Sequence, residues 1–116
     1  MDLSVISDEE VKNFSAPILG ELIKASNEKN WDAFSSFFIV EGQSPEARDD
    51  VKNQWETNPV ITSFNQNSVF LGVLRRSDHI VTLWKMRSEK AADDILGFLA
   101  FKEVDNDVKV YGFRIK

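Results

Sequence analysis

The chain contains no cysteine and a single histidine. The first absence excludes a disulfide framework, a thiol nucleophile and any thiolate-held metal; the second leaves a histidine-based zinc site without its ligands. No cofactor is implied. Long apolar stretches are missing too: eighteen apolar residues never run together, and the opening MDLSVISDEE has neither a basic start nor an apolar centre. The sequence therefore predicts no membrane association and a cytoplasmic protein. Glycines are few, and Gly72, Gly97 and Gly112 stand singly among β-branched and aromatic residues, a setting that predicts bulges or bends rather than a phosphate loop. The acid pairs Asp49-Asp50 and Asp93-Asp94 lack the alternating ligand spacing of a calcium loop.

What is present is the composition of a soluble globular chain. Apolar residues make up 42% and charged residues 28% of 116 positions, enough for one domain over residues 1–116 to bury a core unaided. Nine Phe and three Trp predict a densely aromatic core. The net charge of −5 is uneven: residues 1–50 hold eleven acids and four bases (−7), and residues 51–116 hold eight acids and ten bases (+2). An acidic whole repels a phosphate backbone, so no nucleic-acid partner is expected.

The first half has helical periodicity. Ser7-Asp8-Glu9-Glu10 has the spacing of a capping box, and Val11, Phe14, Ile18, Leu22 and Ala25 follow at intervals of three and four. Pro17 lies inside this stripe and predicts a kink near Ser15, or a helix restarting there. A short second helix is predicted after the N-cap Asn30, burying Trp31, Phe34, Phe37 and Phe38. In a third, Ser44 caps, Pro45 takes the first helical position and Glu46 favours the positive helix end, with Ala47, Val51 and Trp55 on one face. Asn58-Pro59 ends it.

From Val60 the period changes to two, and strands are predicted near 60–65, 68–76, 79–88, 95–104 and 108–115. A tight turn at Ser77-Asp78 sets Leu71 opposite Trp84. A three-residue turn at Asp105-Asn106-Asp107 sets Glu103 opposite Lys109, Phe101 opposite Tyr111 and Leu99 opposite Phe113. In these registers Val69, Leu71, Trp84, Leu99, Phe101, Tyr111 and Phe113 share the face expected under the helices. The other face carries Phe70, Leu74, Val81, Leu83, Leu96, Phe98, Ala100, Val108 and Val110, with Arg76, Lys85, Arg87, Lys102 and Arg114 among them. A sheet face turned to water should be polar, and so many apolar residues exceed what a monomer usually exposes. The outer face is therefore predicted to be a protein interface, that of a homodimer, with the basic residues towards its rim.

Asn30-Trp31-Asp32-Ala33-Phe34 with Phe37-Phe38, the Val40-Glu41-Gly42 exit, the helix from Glu46 to Trp55 and the closing Val108-Lys109-Val110-Tyr111-Gly112-Phe113-Arg114-Ile115 together resemble the nuclear transport factor 2-like superfamily. That superfamily includes SnoaL-like polyketide cyclases and ketosteroid isomerases. The resemblance covers nearly the whole chain through loose patterns. It implies an α+β fold of three N-terminal helices packed on a curved antiparallel sheet of four to five strands, a cystatin-like cone. It also implies a cavity between helices and sheet, and often a dimer. The chain is short for that family, so its sheet is expected to lack a strand. A fold of this kind does not fix a chemistry.

Phe14, Trp55, Trp84 and Tyr111 are the residues expected either around a pocket for a small apolar ligand or filling the core. Glu41 is the acid nearest the place where ketosteroid-isomerase-like members carry their general base. The resemblance thus admits a cavity enzyme of isomerase, cyclase or dehydratase type, with Glu41 as base and Tyr111 as donor. Two departures count against it: Phe14 stands where those enzymes have a Tyr donor, and no acid occupies the middle of a predicted strand. A developing enolate would then go unstabilised. Trp31 and Asp32 are read as packing and capping. Asp78 and His79 are expected to point to opposite faces and not to meet. Ser35, Ser36 and Ser63 belong to no recognisable nucleophile motif. The sequence thus predicts a small-ligand-binding or protein-interaction domain and names no reaction.

Overall fold

A computed structural model describes residues 2–116. The element order is α1 (Asp8–Asn27), α2 (Trp31–Ser35), α3 (Pro45–Thr57), β1 (Val69–Arg75), β2 (Ile80–Met86), β3 (Ile95–Val104) and β4 (Asp107–Ile115). Single 3₁₀ turns, Val40–Gln43 and Pro59–Thr62, flank α3. The fold is α+β: three α-helices precede one four-stranded antiparallel sheet whose spatial order, β1-β2-β3-β4, follows the chain.

Both long helices start where their caps require. At α1 the Ser7 hydroxyl accepts the Glu10 N–H at 3.1 Å, and the Glu10 carboxylate accepts the Ser7 N–H at 3.3 Å, a complete capping box. At α3 Ser44 Oγ accepts the Ala47 N–H at 3.1 Å, with Pro45 at the first position. The helix does not restart at Ser15: α1 runs unbroken through Pro17. Proline there removes one donor, while Val11, Leu19, Leu22, Ile23 and Ala25 on both sides are buried in the core and hold both halves against it. The Ser15 hydroxyl donates to the Val11 carbonyl at 2.6 Å inside the same turn.

The strand expected at 60–65 is instead the 3₁₀ turn Pro59–Thr62 followed by a single bridge, Phe64 to Ser88. Side chains take the backbone groups that a strand neighbour would have used. Ser26 donates to the Ile61 carbonyl, Ser88 to the Val60 carbonyl at 2.7 Å, and Asn27 both donates to and accepts from the Phe64 backbone at 2.9 Å. The segment is thereby tied to the end of α1 and, through Ser88 and the backbone bonds of Asn65 to Arg87 and Glu89 to Ser63, to the residues just after β2, without forming a strand.

Two bulges reassign the faces of the sheet. The β3–β4 turn has two residues, not three: Asp105 and Asn106 both have positive φ, 52° and 67°, as a primed turn demands, and Val104 pairs with Asp107. Near the turn this sets Lys109 opposite Lys102 and Val110 opposite Phe101. An extra residue at Tyr111 then restores the expected pairing of Leu99 with Phe113. In the other hairpin the expected turn register holds from Arg75 to Gly72, after which Leu71 is the extra residue and Phe70, not Leu71, meets Trp84. Gly72, at φ +156°, occupies that bulge.

Three residues expected on the outer face therefore turn inward. Phe70 packs edge-on to Trp84 at 5.2 Å, Val110 is 1% exposed, and Val108 packs against the core. Val69, Leu71 and Tyr111 make the opposite move and are 50%, 55% and 42% exposed. Leu74, Val81, Leu83, Leu96, Phe98 and Ala100 lie on the outer side, alternating with buried neighbours.

Candidate functional site

The two long helices treat the sheet differently. α1 lies against β1 and β2 and sends Phe14 edge-on to Phe101, ring centres 5.0 Å apart. α3 leans mainly on its two flanking 3₁₀ turns, and Trp55 is its one buried residue. Its sequence explains this. Ala47, Val51 and Trp55 form a single apolar row at spacing four, while Asp50, Gln54 and Asn58 form a polar row beside it. One apolar row is too narrow to seat a helix on a sheet.

A groove of about 550 Å³ is left between α3 and β4, within the size range of ligand sites. Its floor is aromatic. Phe34 stands at the centre, 5.5 Å from Trp55 at 85°, 5.2 Å from Phe38 and 6.3 Å from Trp31. Trp55 is fixed by its indole N–H, which donates to Ser26 Oγ at 3.0 Å while Ser26 donates onward to Ile61. The α3 wall carries Asp50, Gln54 and Asn58, with Gln54 Nε2 donating to Asp50 Oδ2 at 3.0 Å. The opposite wall is β4 from Tyr111 to Ile115. The site thus combines apolar floor, polar lip and exposed strand edge, and holds no acid–base pair.

Of the four expected pocket residues the structure brings together Trp55 and Tyr111. Phe14 belongs to the α1 core. Trp84 is buried under Phe70, its N–H donating to Thr82 Oγ1 at 2.7 Å. Tyr111 borders the groove, but its ring lies on the outer side against His79 and Lys102. Trp31, Phe34 and Phe38, read from the sequence as packing, line the groove instead. The doubled row on α3 was the available signal, a helix with too little apolar width to close over what it faces.

Glu41 sits in the 3₁₀ turn Val40–Gln43, exposed, and is absent from the groove lining, which Gly42 joins. Among the described residues it makes no hydrogen bond or ion pair with a side chain. Asp78 and His79 do meet, with Asp78 Oδ1 at 2.7 Å from His79 Nδ1. Both precede β2 in the hairpin turn, so strand alternation does not separate them. This hydrogen bond chiefly, with Lys102 Nζ 3.7 Å away, holds the Asp78 carboxyl below its ordinary value. A second hollow, lined by Glu28, Lys29, Asn30, Trp31, Asp32, Arg48 and Lys52, is polar and open. Among the described residues no three His, Asp or Glu side chains are grouped to hold a metal ion. Among the described residues no helix is long and apolar enough to cross a membrane.

Compared with protein-family models and with curated proteins, the chain matches none.

Proposed function

We propose that this is a non-catalytic binding domain of the nuclear transport factor 2-like kind, whose site is the groove between α3 and β4. The observation that carries the reading is the half-seated α3, which leaves an aromatic floor under a polar lip. The cone reading has two supports. Three helices precede an antiparallel meander, and the segment after α2 joins the last strand through the parallel bridge Phe38–Val110. A ligand bound only by the native state raises its stability, by about 2.7 kcal/mol at a hundred times Kd. The test is thermal unfolding with the small apolar probe 8-anilinonaphthalene-1-sulfonate. It should raise Tm for the unmodified chain and fail to do so for Ala47→Trp, whose ring fills the groove. Equal shifts in both proteins would place the binding elsewhere.

The exposed outer face favours a second role, association with another copy of the chain. Val69, Leu71, Leu74 and Tyr111 are 40–55% exposed there. The face measures roughly 20 by 30 Å in outline, and its side-chain relief brings it near the roughly 800 Å² that each partner of a standard interface buries. A dimer would therefore use the whole face, including Lys85, Lys102, Lys109 and Arg114. Such a cationic patch against its copy should associate more tightly as salt rises. Phe98→Asp, at the centre, should give a monomer. Sedimentation of the unmodified protein as a monomer at micromolar concentration in high salt would rule this role out.

A further inference from the structure

We infer that the free edge of β4 accepts an extended segment of another polypeptide as a fifth strand, apolar at alternate positions and acidic between them. This rests on reading the groove as a binding site and adds the class of partner.

β4 ends the strand order, so one of its edges has no neighbouring strand. The chain itself closes the start of that edge. Val110 N–H donates to the Phe37 carbonyl at 2.7 Å and Ile39 N–H to the Val110 carbonyl at 3.0 Å. The chain then turns away at Val40–Gln43, and among the described residues no backbone group bonds across the edge from Phe113 onward. Leu96 and Lys116 exchange both of their backbone bonds, at 3.0 and 2.8 Å. Antiparallel pairs alternate, so Arg114 and Gly112 also face β3, while Phe113 and Ile115 turn N–H and C=O towards the groove. An unpaired row of this kind is a template for an added chain.

Length and charge narrow the partner. From Phe113 to Lys116 the open edge spans about 14 Å at 3.4 Å per residue, room for about four residues. Alternate side chains of an added strand would follow Phe113 and Ile115 onto Phe34, Phe38 and Trp55. The residues between them would share the outer side with Arg114 and Lys116, where β3 presents no carboxylate. Acids suit that side, whereas Asp50 on α3 disfavours them within the groove. The β1 edge is also open, but the aromatic groove lies along β4 and includes no residue of β1.

The probe is the capped hexapeptide of alternating valine and glutamate, added to the full chain labelled with ¹⁵N. Binding should shift the amides of Phe113 and Ile115. N-methylation of one alternate set of peptide amides should weaken binding at least tenfold, and methylation of the other set less. A valine–lysine version should also bind at least tenfold more weakly. Equal affinity for both methylated peptides and their parent would mean that the groove holds side chains only, ending the strand proposal and leaving the groove reading intact. The strand proposal fails alone in the same way if 8-anilinonaphthalene-1-sulfonate binds in the groove and no peptide does. Shifts confined to Val69–Arg75 would put the peptide on the wrong edge and overturn the proposal. Failure of both probes to bind would overturn the groove reading with it.

Discussion

α1 and α3 are both capped by serine, both start on the chain's acidic half, and both carry an apolar row at helical spacing. Yet α1 buries Val11, Ser15, Leu19, Leu22, Ile23, Ala25 and Ser26, whereas α3 buries Trp55 alone. The difference lies in the width of the row. In α1 the apolar positions fall on adjacent rows and close over β1 and β2. In α3 the neighbouring row is Asp50-Gln54-Asn58, which has to stay near water. One end of the molecule is therefore closed core and the other an open groove, and the division is set by three side chains on one helix.

The largest expected effect tests the packed end. Leu22→Ala should lower unfolding free energy by about 2–5 kcal/mol in urea titration, because nothing can collapse into the space it leaves. The matched change in the groove, Val51→Ala, should cost under about 1.5 kcal/mol, since its side chain is only partly buried. Equal losses would erase the contrast between the two ends.

The caps sharpen it. Ser7→Ala and Ser44→Ala should each cost about 1 kcal/mol, but with different reach. Loss of the α1 cap should be felt in the global unfolding midpoint. Loss of the α3 cap should appear first as faster amide exchange confined to Pro45–Thr57, because that helix shares few buried contacts with the rest.

Gly42→Ala reads the same boundary from the other side. A Cβ there would meet Phe38 Cδ2 at 2.9 Å and its Cβ at 3.1 Å. The ring must shift within the groove, so probe affinity should change by more than stability does.

The smallest effect is electrostatic and belongs to the sheet. Asp78 and Asp94 are held below the ordinary value of 3.8, chiefly by hydrogen bonds from His79 and Arg87 respectively. Depressed values stabilise the fold above pH 3.8, and that contribution is lost as pH falls through the lowered values. Both groups are exposed, so the loss should be slight, and Asp94→Asn should flatten the urea midpoint between pH 4 and pH 2 only marginally.

The helix starts and the α3 boundaries were legible because each is written in local chemistry: Ser-x-x-Glu, Ser-Pro-Glu, Asn-Pro. The faces of the sheet were legible only in part. Val69-Phe70-Leu71-Gly72-Val73-Leu74 is apolar at nearly every position, so alternation could not locate the extra residue, and one bulge exchanged Phe70 with its neighbours. At Asp105-Asn106-Asp107 all three residues suit a turn, and only the pair of positive φ values fixes its length at two. Val60-Ile61 resembled a strand because the serine side chains that claim its carbonyls, Ser88 and Ser26, lie far away in sequence. The groove was illegible for a related reason: it is the space left by a helix that does not close, and Trp31, Phe34 and Phe38 look like any core aromatics until that helix is placed.

The three tryptophans report on this division directly. Trp31 and Trp55 line the groove, and Trp84 is buried beneath Phe70 with its N–H on Thr82. In a ¹⁵N-labelled sample titrated with 8-anilinonaphthalene-1-sulfonate, the indole N–H signals of Trp31 and Trp55 should move together and saturate with one affinity, while that of Trp84 stays in place. Movement of Trp84 alone, or no movement of Trp55 at saturation, would contradict the assignment of the α3 end as the binding site.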